Sequence, residues 1–209
     1  MAPTFINVVR SGIAELAALD PSRTLFGAGS HDYRFAPVID EATLASFEEK
    51  ASVRLTDDYR DFITQIGNGG AGPSYGVMGF RAKDPEDYTA YERLGTPWAY
   101  TEAYNPVEIL DGDGDESEYG QEAYWKAFNS DGALYLCHHG CASRSLLVVS
   151  GPCRGEVWSD EVANDAGYAP ESNLAGARAT FRTWYVEWLE KAIAQMKAKA
   201  TLEPAPKDR

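Results

Sequence analysis

The chain has 209 residues, 44% of them hydrophobic and 12% aromatic, and its 32 acidic against 19 basic side chains give a formal charge of −13. That composition excludes a disordered, collagenous or coiled-coil chain, and a single domain of this length buries roughly 70% of its unfolded surface without needing disulfides or a metal. The negative charge repels phosphate backbones and anionic bilayers, so neither nucleic acid nor a membrane is expected as a partner.

The acidity is patterned. Residues 94–125 contain no Lys or Arg but eight acids, Glu102, Glu108, Asp111, Asp113, Asp115, Glu116, Glu118 and Glu122. Residues 155–177 again lack a base and add five acids, Glu156, Asp160, Glu161, Asp165 and Glu171. These thirteen equal the whole net charge, and the remainder balances at nineteen against nineteen. Cys137, Cys141 and Cys153 are an odd set in a chain too long for a disulfide miniprotein, which suits a reducing compartment. The first ten residues lack a basic stretch followed by an apolar one, and no run approaches the roughly 20 apolar residues of a membrane span, so a cytoplasmic location is expected.

In chain order, Phe5, Val8, Val9, Ile13 and Leu16 recur at helical spacing, which predicts an amphipathic helix over 4–19 closed by Asp20-Pro21. A glycine-containing link over 26–33 leads to Asp40, a helix cap for a segment through Lys50 with Leu44 and Phe47 inward. Thr56 caps a second helix with Asp57 and Asp58 in its first turn and Tyr59, Phe62, Ile63 and Ile66 as its buried stripe. That helix stops at Gly67-Asn68-Gly69-Gly70-Ala71-Gly72-Pro73, and Tyr75–Phe80 follows as a strand. Residues 81–131 show weak periodicity and are expected as long loops. Three strands are predicted at Leu134–His138, Leu146–Val149 and Glu156–Trp158, the last two joined by a hairpin over 151–155. The unbroken apolar run Leu146–Val149 marks a central strand covered on both faces. A long last helix, starting near Ala177, turns Phe181, Trp184, Tyr185, Trp188, Leu189 and Met196 to one side, and Thr201–Arg209 is expected as a tail. The fold class predicted is α+β, a mainly antiparallel twisted sheet with flanking helices and a long C-terminal helix. Its divisions are an N-terminal helical extension over 1–25, one domain over 26–199 and a flexible tail over 200–209.

Three segments invite a chemical reading. Cys137-His138-His139-Gly140-Cys141 with Cys153 contains metal-ligating and nucleophilic atoms, but strand alternation puts Cys137 and His139 on one face and His138 on the other, and no second ligand pair completes a zinc site. Asp111–Glu122 sets carboxylates at positions 1, 3, 5 and 12 of a calcium loop, yet Glu116 occupies the position where the turn requires glycine. Gly69–Pro73 follows a helix and precedes a strand, the reverse of a phosphate-binding loop, and no Lys-Ser/Thr closes it. No metal and no cofactor is therefore expected, and an enzyme reading lacks an anchor. Aromatics crowd the acidic runs, at Trp98, Tyr100, Tyr104, Tyr119, Tyr124, Trp125 and Trp158. Such rings are mostly core material, and within an acidic rim they are also what a protein-binding hot spot contains.

Phe26–Arg34, Leu55–Phe62, Gly67–Gly76, His139-Gly140-Cys141 and Leu146–Trp158, followed by Trp184–Leu189, together resemble the SUKH superfamily, in its Smi/Knr-type branch. The resemblance spans residues 26–160 and departs at the first 25 residues and in the length of the 81–131 insert. It implies a non-catalytic α+β binding module. Bacterial members are commonly immunity proteins that neutralise a toxin domain, frequently a nuclease or deaminase, while fungal relatives regulate cell-wall synthesis through protein contacts. The signature residues Tyr59, Phe62, Gly67, Asn68, Gly69, Gly70, Gly72, Gly151, Pro152 and Trp158 look like fold determinants.

The leading expectation is an immunity protein that covers the basic substrate cleft of a toxin, with Asp111, Asp113, Asp115, Glu116, Glu118, Asp160 and Glu161 steering encounter and Tyr119 and Trp125 among the holding rings. The alternative is a regulatory scaffold of the Smi/Knr type with an endogenous cell-wall or signalling partner. A thiol or metal enzyme built on Cys137, His139 and Cys141 stands third.

Overall fold

A computed structural model describes residues 4–79, 93–105 and 130–202 of the chain. Its elements are α1 (Phe5–Leu19), α2 (Ala28–His31), α3 (Glu41–Lys50), α4 (Asp57–Asp61) running on into a π-helical turn (Phe62–Ile66), β1 (Ala133–Gly140), β2 (Ser143–Val148), β3 (Val157–Glu161), a 3-10 turn (Val162–Asn164), β4 (Gly167–Pro170) and α5 (Phe181–Leu202). The strands form one antiparallel sheet in the order β1-β2-β3-β4, so the fold is α+β as expected.

α1, α3 and α5 begin where side chains take up free N–H groups, whereas the cap expected of Thr56 at α4 is not made, its hydroxyl being buried without a partner. The Thr4 hydroxyl accepts from Asn7 N at 3.3 Å, and the Asp40 carboxylate accepts from Thr43 N at 2.8 Å. At α5, Thr180 N donates to Thr183 Oγ1 at 2.9 Å and Thr183 N to Thr180 Oγ1 at 3.3 Å, a reciprocal cap. This start lies later than the one expected near Ala177, because the sheet captures the preceding backbone: Ala179 N donates to Glu171 O and Val157 N to Ala179 O, both at 2.8 Å. At its other end α5 runs through Leu202, into the segment expected as a tail.

Two cores lie on opposite faces of the sheet. In β2 the alternation of side chains sends Leu147 and, just past the strand, Val149 toward the helices, where Leu134, Leu136 and Val157 meet Tyr59, Phe62, Phe181 and Tyr185. Leu146 and Val148 face the other way and join Ala133, Trp98, Trp158, Val162 and Tyr168. The unbroken apolar run of β2 is thus the signature of a strand with a core on each side. Burying one such side chain stabilises the fold by about 1.5–3 kcal/mol. On the helical side the rings interlock edge to face, with centroids 5.0 Å apart for Tyr59 and Phe181 and 5.2 Å for Phe62 and Phe181. The α1 face formed by Phe5, Val9, Ile13 and Leu16 belongs to this same core, and Gly12 lets α1 approach α5 so closely that a Cβ there would sit 2.6 Å from Leu189.

The expected strand after the glycine-rich loop is absent as a strand. Within 75–79 only Val77 bridges, to Gly70 and to Cys137, because Ser74 and Gly76 both take positive φ, 47° and 100°, and turn the chain. That bridge covers the free edge of β1, and Tyr104 covers β4 with paired bonds to Tyr168 at 2.8 and 2.7 Å, so loops blunt both sheet edges. Among the described residues no helix is long and apolar enough to cross a membrane.

Candidate functional site

Of the residues expected to meet a partner, Asp111, Asp113, Asp115, Glu116, Glu118, Tyr119 and Trp125 lie outside the described residues. Glu161 is half-buried, its carboxylate accepting from Ser143 Oγ and from Asn164 Nδ2, the latter at 2.8 Å. Asp160 requires a correction: it is only 6% exposed and cannot offer its charge to a partner in this fold. Two residues after Trp158 on β3, it points to the same side, into the aromatic core, where it accepts from Val162 N at 3.2 Å and from the Tyr135 hydroxyl at 3.4 Å. Burial outweighs these bonds and raises its carboxyl above the ordinary value. Trp98 and Trp158 are core rings as well. Tyr100 and Tyr104, stacked with centroids 4.6 Å apart, stay half-buried at the rim.

The described part of the first acidic stretch, residues 94–105, meets the second in space. Besides the Tyr104 to Tyr168 pairing, Asn105 Nδ2 donates to Asp165 O at 2.9 Å, and Arg178 pairs with Glu102 at 3.0 Å. Glu102 and Asp165 are exposed, and Glu156 and Glu161 are partly so.

The residues implied as fold determinants occupy packing and turn positions. Tyr59, Phe62 and Trp158 are core. Asn68 N donates to Pro37 O at 3.2 Å, holding the loop of Gly67, Gly69, Gly70 and Gly72 against the chain before α3. Gly70 shows why the loop needs glycine: its φ is +110°, it pairs with both Phe35 and Val77, and a Cβ there would lie 2.3 Å from Arg34 O. Tyr185 of α5 fastens the same loop by donating its hydroxyl to Ala71 O at 2.7 Å. Gly151 and Pro152 open the β2 to β3 connection, where Arg154 N donates to Gly151 O.

That loop ends in Gly72-Pro73-Ser74-Tyr75-Gly76, a Gly-x-Ser-x-Gly spacing that the expectation of no catalytic anchor passes over. Ser74 Oγ lies 2.9 Å from His139 Nδ1, His139 Nε2 lies 2.8 Å from Ser145 Oγ, and Ser145 Oγ donates to Glu171 Oε1 at 2.6 Å. Burial lowers the His139 imidazole below its ordinary value and raises the Glu171 carboxyl above its own.

Cys137 Sγ lies 3.9 Å from His139 Nδ1, donates to Pro73 O at 3.1 Å and is pushed up to about 12 by burial, so it is a packed thiol. Cys141 is exposed in the β1 to β2 turn, and Cys153 is buried in the aromatic core. Among the described residues no group of three or more His, Cys, Asp or Glu side chains could hold a metal ion. No protein-family model, no curated protein and no solved structure matches the chain.

Proposed function

We propose that the chain is a SUKH-like protein-binding module of the cytoplasm, an immunity protein that neutralises a cognate toxin of nuclease or deaminase type by covering its basic cleft. The observation that carries this reading is the junction at β4 of the described parts of the two base-free stretches, residues 94–105 and 155–177, through Tyr104, Asn105, Asp165 and Tyr168. Exposed Glu102 and Asp165 and half-buried Glu161 stand with Tyr100 and Tyr104 along that junction. An excess of negative charge accelerates encounter with a basic partner, and half-buried tyrosines supply contact area at low entropic cost. Inhibition on this reading is stoichiometric occlusion.

The test captures partners on the tagged chain from its host at low and then high salt and measures their association rates. A basic toxin domain retained in stoichiometric amount is expected. Changing Asp111, Asp113 and Asp115 to Asn and Glu116 and Glu118 to Gln should slow association about tenfold at low salt and flatten its salt dependence. An unchanged on-rate would reject acidic steering, and retention of cell-wall or signalling enzymes instead would move the protein to the scaffold class.

A further inference from the structure

We propose that Ser74 is a nucleophilic serine, activated by His139 as general base, that accepts an acyl group from aromatic or apolar esters. This goes beyond the binding reading and does not depend on it.

Hydrogen counting orients the chain of contacts. With Glu171 ionised, the single proton of Ser145 Oγ goes to its carboxylate, so Ser145 oxygen accepts from His139 Nε2–H. A neutral imidazole carries one proton, and with Nε2 protonated the Nδ1 atom is bare and accepts the Ser74 hydroxyl proton. Donation thus runs from Ser74 to His139 to Ser145 to Glu171, the polarity of a nucleophile, its base and an acidic orienter, with one hydroxyl inserted before the acid. Burial disfavours the charged ring, so the resting imidazole is neutral with Nδ1 free to accept, though a weaker base than a solvated one.

Accessibility follows the same order. Ser74 and His139 are partly exposed, whereas Ser145 is 1% exposed. The reacting end is open to solvent, and the hydroxyl that orients the ring is sealed.

The backbone at this spot is strained, as it also is at Arg23, Asp32, Tyr33, Ser52 and Asp165. Ser74 holds φ +47°, and Cys141 and Ala142, in the hairpin turn beside it, hold +48° and +62°, a region that non-glycine residues enter at steric cost. Strain of this kind gathers at functional sites because it fixes a side chain in one direction. Here Gly27 wedges the turn from behind: a Cβ on it would lie 1.8 Å from Ser74 O. The surrounding order is helix, loop and turn, unlike the strand, turn and helix of hydrolase elbows, so the inference rests on the side-chain contacts and the turn's backbone rather than on that motif.

Beside Ser74 stands an aromatic wall. Phe26 is 62% and Tyr75 44% exposed, with ring centroids 5.4 Å apart, and His138 lies 5.8 Å from Tyr75. Such a surface takes a flat or apolar ester portion by stacking. In the reaction Ser74 Oγ attacks the ester carbonyl carbon as its proton passes to His139 Nδ1. The tetrahedral adduct collapses by breaking the bond to the alcohol oxygen, which leaves with the proton returned from Nδ1. Water then attacks the acyl-serine ester, giving its proton to His139, and the acid departs as Ser74 recovers its hydrogen; the sum is ester plus water to acid plus alcohol.

The experiment mixes the full chain with p-nitrophenyl acetate in stopped flow and maps the acetylated peptide by mass spectrometry. A stoichiometric burst of p-nitrophenolate and an acetyl group on Ser74 are expected. Ser74→Ala should abolish the burst and His139→Asn should slow it on the order of 100-fold. Ser145 and Glu171 are positioning residues: Glu171→Gln should shift the pH midpoint of the burst rate, a change that loss of packing alone would not produce. Acetyl found only on lysines, tyrosines or His139, or an unchanged burst in Ser74→Ala, would overturn the proposal. So would a folded wild-type chain that shows no acetylation. Site mapping on the wild type decides the matter even if a variant fails to fold, and it does so whether or not a toxin partner is found.

Discussion

Asp20 and Asp160 are almost equally inaccessible to solvent, at 2% and 6% exposure, one on the helical side of the molecule and one in the aromatic core across the sheet, yet their carboxyls move in opposite directions. Asp20 closes α1 and accepts four hydrogen bonds: from Thr24 N at 2.8 Å, Thr24 Oγ1 at 2.9 Å, Leu25 N at 3.0 Å and the Tyr33 hydroxyl at 2.6 Å. Burial raises its carboxyl, but these donors, Tyr33 foremost, outweigh burial and hold it down at about 2. The same pairing, after burial, pushes the Tyr33 phenol well up. Asp160 receives two longer bonds and burial wins. Asp160 lies deeper among other side chains and has two donors where Asp20 has four, so depth and donor supply together decide whether a buried carboxylate is an anchor or a cost.

The sharpest break of that contrast is Asp20→Ala. It leaves Leu25 N, Thr24 N and the buried Tyr33 hydroxyl without their acceptor and should cost about 3 kcal/mol in urea unfolding at pH 7. A folded value of about 2 against roughly 3.9 in the unfolded chain means that the ionised form stabilises the fold above pH 4, and that this stability drains as pH falls toward 2. About 2 kcal/mol of the gap between wild type and variant should therefore close over that range. A gap independent of pH would show that the four bonds do not favour the carboxylate.

Asp160→Asn tests the opposite case with a smaller effect of opposite sign. A carboxyl raised in the folded state binds its proton more tightly there, so its stability contribution is present at low pH and is lost as pH rises through the folded value. The neutral isostere keeps an oxygen for Val162 N and removes an undersupplied charge. Stability at pH 7 should rise by up to about 1 kcal/mol, with no gain at pH 3. A loss at pH 7 would mean that the charge is matched by its surroundings, Arg144 included.

How much of this was readable beforehand depends on the range of the interaction. Local signals served in part: the cap at Asp40, the helical spacing of Tyr59, Phe62, Ile63 and Ile66, and the unbroken run Leu146–Val149 all correspond to what the fold shows, whereas the cap expected at Thr56 makes no capping bond. β4 escaped because four residues bounded by Gly167 and Pro170 carry no pattern, and α5 starts late because distant strands claim the backbone at Ala179. The burial of Asp160 was legible, since alternation from Trp158 places it inward. The partners of His139 were not: Ser74 is 65 residues away, and Glu171 lies 26 residues beyond Ser145, so only the folded sheet assembles them.

The smallest effect separates two helix starts that have the same residue and nearly the same backbone. Thr4 at φ −70°, ψ 157° caps α1 with its hydroxyl, whereas Thr56 at φ −70°, ψ 148° precedes α4 with a buried hydroxyl that has no hydrogen-bond partner. At α4 the first turn serves itself: Asp58 Oδ1 accepts from Tyr59 N at 2.9 Å, and its Oδ2 accepts from Arg182 N at 3.0 Å, tying the start of α5 to the same carboxylate. Thr4→Val, which keeps the shape and removes the acceptor, should cost about 1 kcal/mol. Thr56→Val removes only an unpaired buried hydroxyl and should change stability by less than about 0.5 kcal/mol, toward a gain. Urea midpoints of the two variants decide it: a loss at Thr56 equal to that at Thr4 would mean that the hydroxyl does cap α4 and that Asp58 is not enough, and the contrast between a supplied and an unsupplied buried oxygen would then fail at its least charged example.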